Sequence, residues 1–294
     1  MALASMSEIF ERMARNGQEF WEVVLADDMD ERQVSREASM AKMLTTWQAM
    51  QDAADSYTGR KRSVSGLVGG DGMKMRQYTL RGCAMTGGYV REGIAEALSM
   101  AESNACMRRI VAAPTAGACG VLPAVLLPLC KYEELTQHQL LEALYVAAGI
   151  GSIIAYKASI AGASGGCQAE IGTASAMAAG ALVALRGGEG EQIGHAVAMA
   201  LKNLMGLVCD PVAGLVEVPC VKRNVIGAVN AVSAADMALA GIESRIPVDE
   251  VIDAMGEVGR RMPVEFREPA RGGLAATPTG ERLKRELTAK REKQ

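Results

Sequence analysis

An all-α fold, a compact multi-helix domain with glycine-rich loops, is predicted by three observations. Hydrophobic residues make up 49% of the chain but aromatic ones only 4%, so the apolar mass is Ala, Leu, Val, Met and Ile, which favours close-packed helices over sheets. Apolar positions recur at three- and four-residue steps along several stretches. No convincing strand ladder and no repeat of fixed period interrupts them. With 294 residues, a single domain over 1–294 can bury a real core, and 18 Met supply soft, gap-filling side chains for it.

Helices are expected from about Ser5 to Leu25 and from Asp30 to Ala54. In the second, Met40, Met43, Trp47, Met50 and Ala54 share one face, while Arg32, Arg36 and Lys42 interrupt the others, as on a surface helix. From Tyr57 to about Met75 the periodicity breaks in YTGRKRSVSGLVGGDGMKM. This glycine-rich loop either connects helices or cradles a small anion on its backbone N–H groups; it lacks the Walker A pattern. A second loop, Ala113 to Gly120, precedes the apolar run Val121 to Leu129. Thr136 and Gln139 form a capping box opening a helix to about Ser159. Its apolar part, Leu140 to Ala155, is short for a bilayer span and contains Glu142, so it reads as a buried helix. Further helices are expected near Ala169 to Leu185, Glu191 to Leu207 and Cys220 to Ala240. A last one runs near Val248 to Arg261, between Pro247 at its start and Pro263 at its stop. The tail, about 281–294, is polar and expected to be flexible.

The net charge of −3 with acids and bases intermixed gives no basic field for nucleic acid, and a small substrate fits better. No secretory signal is recognisable. Seven cysteines without an export signal or a CxxC pair argue for a reducing, cytoplasmic setting and against zinc ribbons and thioredoxin-like chemistry.

One thiol stands out. In ASGGCQAEIG, Cys167 follows paired glycines where a helix is expected to begin, a position whose unpaired N–H groups and positive dipole end favour the thiolate. Cys209 and Cys220 frame a second broken segment, CDPVAGLVEVPC. Three thiols at helix ends beside Gly- and Pro-marked bends can converge on one point, or each can be a small buried hydrophobe. Separations of 42 and 11 positions match no short ligand signature.

SGGCQAEIG, CDPVAGLVEVPC with the following KRN, the APTAGACGVLPA loop and the SGLVGGDGMK loop resemble the α subunit of bacterial iron-sulfur L-serine dehydratase, or L-serine ammonia-lyase, from about Glu22 to Gly280. The resemblance implies an all-helical subunit holding a 4Fe-4S cluster on Cys167, Cys209 and Cys220. It also implies L-serine as substrate, a β subunit that completes the active site of a hetero-oligomer, and no membrane association. Cys83, Cys106, Cys119 and Cys130 lie outside the ligand motifs and are expected to pack, with Cys119 the one to watch. Ser63, Ser65, Lys74 and Thr115 on the glycine-rich loops, and Ser164 beside Cys167, are the candidates for binding the substrate or assisting its reaction. Arg223 and Asn224 either orient the ligand shell or lie at a solvated helix start. His138 is expected to be exposed and His195 to pack. Single-chain relatives end in a cysteine, whereas this chain ends TAKREKQ.

Three alternatives stay open. Hydrosulfide could leave in place of hydroxide, making the chain an L-cysteine desulfidase. Lys157 could serve a pyridoxal-phosphate route, although a snorkelling helix-end lysine is the plainer reading. The chain could also be a metal-free helical scaffold.

Overall fold

The computed structural model describes residues 3–82 and 84–292, and among them every regular element is helical. The chain runs α1 (Met6–Asn16), α2 (Phe20–Arg32), α3 (Arg36–Asp55), α4 (Asp71–Leu80), α5 (Gly88–Ala105), α6 (Val121–Tyr132) and α7 (Gln137–Lys157). It continues through the single turn α8 (Gly162–Gly165), α9 (Thr173–Leu185), α10 (Gly190–Leu204), α11 (Cys220–Leu239), α12 (Val248–Arg261) and α13 (Pro278–Arg291).

The first expected helix is two. Gly17 ends α1 in a left-handed conformation (φ 64), and α2 runs past Asp30 to Arg32, where Gln33 turns the chain and Ser35 caps α3. On α3 the Met and Trp stripe faces inward, with Trp47 and Met50 buried. The capping box at Thr136 opens α7 as expected. By length and composition α7 could cross a membrane, but 67% of its apolar window is buried inside the protein. The stretch expected to be a flexible tail is a regular helix, α13, started by Thr277, whose side chain accepts from Gly280 N.

Helix α9 is the hub. It packs on α6, α7, α10 and α11, and every residue from Thr173 to Val183 is buried. Its sequence, TASAMAAGALVAL, keeps side chains small, so four neighbours approach closely and many weak dispersion contacts accumulate. The N-terminus is tied in by polar bonds. Asp249 on α12 accepts from Met6 N (3.0 Å), Ser7 N (2.9 Å) and Ser7 Oγ (2.7 Å). The functional region lies where α9's amino end meets the loops before α6 and α11.

Candidate active site

Between α8 and α9 the chain makes a π-helical turn, Gln168–Gly172, with Cys167 at its head. Such wide turns recur at functional sites because they re-aim side chains. Gly166 allows it. Its φ is 74, and an added Cβ would lie 2.7 Å from Met262 Sδ and 3.0 Å from Leu207 O. Buried Gln168 locks the turn in place, donating through Nε2 to Met255 O (3.0 Å) and accepting at Oε1 from Gly206 N (2.7 Å).

Cys167 and Cys209 are buried, and Cys220, the first residue of α11, is half-buried. Cys209 does not sit at the end of α10 but within the following connection, where its N–H donates to Phe266 O (2.8 Å). The three thiols share one electrostatic neighbourhood. Burial pushes Cys167 up to about 11 against the pull of Arg223. Burial, then the charge of Cys167, pushes Cys209 up to about 12. Burial, then Cys167 and Cys209, raises Cys220, and Arg223 opposes the rise at all three. In the metal-free chain desolvation of the buried sulfur works against the Cys167 thiolate that the helix end was expected to favour.

Arg223 holds this cluster together. Its guanidinium donates to Val208 O (2.7 Å) and Asp210 Oδ1 (2.8 Å), and its positive charge acts on Cys167. The other Asp210 oxygen accepts from Leu274 N (2.9 Å), which draws the GGLAA segment onto the Cys209 loop. Asn224 is fully buried, not at a solvated helix start. It accepts from Gly120 N (2.9 Å) and donates to Gly117 O (2.8 Å) and Cys220 O (3.0 Å), so the second glycine-rich loop is fixed to the Cys220 turn.

The candidates from the sequence divide. Thr115 comes to the site, donating to Glu170 Oε1 at 2.8 Å. Ser63 and Ser65 both donate to Glu217 Oε2, Ser63 at 2.8 Å, which ties the first glycine-rich loop to the Cys209–Cys220 segment. Lys74 is not in that loop but on the first turn of α4, exposed, and paired with Asp71 (2.8 Å), which also holds Lys222 (3.0 Å). Ser164 is exposed and bonded to Ser159 (2.5 Å). Lys157 is engaged by Asp253 (3.2 Å) and Asp249 (3.5 Å). His138 is exposed against Trp21, and His195 is half-buried, accepting from Ser244 N. Cys119 is core, its thiol pushed up to about 12 by burial. Cys130 is exposed and Cys106 half-buried, so neither is a core filler. Cys83 lies outside the described residues.

Sequence reasoning missed Glu170, Glu217, Asp210 and Gln168. Glu170 was the accessible one, since it lies inside the quoted Cys167 motif, three positions after the thiol.

An iron-sulfur cluster can be tested against these residues. Among the described residues no three His, Cys, Asp or Glu side chains gather as the ligands of one ion. A cluster asks for something else: one thiolate per iron, at separate corners. Three sulfurs, two of them buried and one half-buried, with a guanidinium to offset thiolate charge, fit that demand. Binding would release thiol protons held firmly in its absence.

Residues 15–275 match the protein family described as serine dehydratase alpha chain. The chain is 47% identical over 266 residues to "Probable L-serine dehydratase, alpha chain" of Bacillus subtilis (strain 168), covering 90% of this chain and 89% of that one. It is 39% identical over 286 residues to "L-serine dehydratase, alpha chain" of Peptoniphilus asaccharolyticus, covering 97% and 98%. With "L-serine dehydratase 2" of Escherichia coli (strain K12) it shares 48% over 181 residues, which is 61% of this chain but 40% of that one.

Proposed function

Because the chain belongs to the serine dehydratase alpha chain family, we propose that it is the cluster-bearing subunit of an L-serine ammonia-lyase, converting L-serine to pyruvate and ammonia. The observation that carries the reading is the common neighbourhood of Cys167, Cys209 and Cys220, with Arg223 acting on all three. Those cysteines would hold a 4Fe-4S cluster. A cluster on three protein thiolates leaves one iron without a protein ligand, and that iron supplies Lewis acidity to a poor leaving group such as hydroxide.

The chain's own residues do the holding and excluding. Arg223 offsets negative charge at Cys167 and is itself oriented by Asp210. Asn224 keeps the Gly117–Gly120 backbone against Cys220, and Gln168 fixes the Cys167 turn to α12. These bonds lock the geometry before substrate arrives, so little reorganisation accompanies the reaction. Glu217 holds Ser63 and Ser65 of the first glycine-rich loop beside the same segment by accepting from both hydroxyls.

A partner chain belongs to this reading. Relatives named alpha chain align over nearly their whole length, whereas the Escherichia coli relative is matched over 40% of its own, and a separate β subunit would supply the remainder. The reading also places the enzyme in the reducing cytoplasm, where free thiols and an air-sensitive cluster persist. The test is anaerobic reconstitution with iron, sulfide and the partner, followed by pyruvate release from L-serine and from L-cysteine. Serine-dependent pyruvate is expected. Release from cysteine alone, or none from a protein that has taken up iron, would refute serine deamination.

A further inference from the structure

Glu170 is a carboxylate at the site with one oxygen left unpartnered and no cation beside it. Its Oε1 accepts from Thr115 Oγ1, while among the described residues its Oε2 accepts no hydrogen bond and no Lys or Arg pairs with it. The neighbouring acids are in a different condition. Asp210 is bonded at both oxygens by Arg223 and Leu274 N, Glu217 holds two serines, and Glu268 is exposed to water. Burial raises the Glu170 pKa, and the nearby Glu268 raises it further. A largely buried carboxylate without a cation is costly and invites one.

Glycine backbone lies close against Glu170 on two sides. A Cβ added at Gly162 would lie 2.9 Å from Glu170 Oε2 and 3.3 Å from Cys209 Sγ, so the free oxygen and the sulfur both border one point. On the other side, a Cβ at Gly117 would lie 3.3 Å and 3.5 Å from the two carboxylate oxygens. Two glycines thus leave backbone where side chains would cover the acid, and Thr115 fixes which oxygen is free. Oε2, the oxygen without a hydrogen bond, is therefore the one on the Cys209 side.

Resting on the lyase reading above, the geometry points to Glu170 as the group that receives the ammonium of the amino-acid substrate, with Thr115 fixing its orientation. It is therefore a specificity determinant for α-amino acids over the corresponding hydroxy acids without an amino group. The ammonium would make a charge-assisted bond at Oε2 while the substrate's β-carbon is turned towards the cysteines.

The test uses the loaded enzyme with its partner and the variants Glu170→Gln, Glu170→Asp and Thr115→Val. Losing a charge-assisted bond predicts a KM for L-serine raised about tenfold or more in Glu170→Gln, with kcat changed far less. Inhibition by 3-hydroxypropionate, which is serine without its ammonium, should be unchanged, as should iron content and the visible spectrum. Glu170→Asp and Thr115→Val, which keep the charge, should raise KM less. An unchanged KM, or a kcat collapse at constant KM, overturns the inference, and so does an equal loss of 3-hydroxypropionate binding. If Glu170→Gln fails to fold or load, Thr115→Val decides: a KM rise confined to the ammonium-bearing ligand supports the assignment, and none refutes it. Absence of lyase activity in the wild-type enzyme would instead sink the reading on which this rests.

Discussion

Helix α9 and the turn that feeds it are adjacent in the chain and held by different physics. In α9 the residues from Thr173 to Val183 are buried and mostly small, so cohesion is spread over many interchangeable contacts with α7, α10 and α11. In the preceding turn the polar side chains depend on single bonds to remote segments: Gln168 on Met255 and on Gly206, Glu170 on Thr115. A distributed core tolerates a lost contact. A set of singular polar bonds does not, because each broken bond leaves a buried group unpaired.

The sharpest way to test that contrast is Asn224→Leu, which should destabilise the chain by roughly 3 kcal/mol. It strands the buried Gly120 N and removes the bonds to the part-buried Gly117 O and Cys220 O. Urea denaturation would measure it, and a loss below that of a single α9 truncation would erase the distinction. Next comes alkali. The three site thiols titrate higher in the folded metal-free chain than in the unfolded one, so the unfolded chain loses their protons first. Their contribution is complete below the ordinary thiol pKa of about 8.5 and declines as pH rises above it. Metal-free protein should therefore weaken on the alkaline side more than a variant with all three replaced by Ala. The smallest effect is Ala179→Gly in α9, about 1 kcal/mol from propensity, with no change in site behaviour.

The same contrast explains what could be read from the sequence. Thr136 with Gln139, and Pro247 before Val248, announce helix starts through neighbours within a few positions, so α7 and α12 begin where expected. The break at Gly17 was masked by apolar periodicity on both sides. At the site the family motifs supplied the three cysteines, but not the bonds that organise them. Thr115 and Glu170 are 55 positions apart, and Ser63 and Glu217 are 154 apart; no local pattern encodes such pairs. Lys74 and Ser164 show the converse, since near neighbours, Asp71 and Ser159, engage them at the surface.

The central claim is that Cys167, Cys209 and Cys220 act as one donor set. It is tested most directly by alkylating the folded chain's cysteines anaerobically before and after iron and sulfide loading, then removing the reagent, denaturing, and mapping each thiol by mass spectrometry. The account predicts that these three become protected together, in proportion to bound iron, while Cys130 stays reactive throughout. Protection of only one or two of them, or iron uptake that leaves all three open to alkylation, would contradict it.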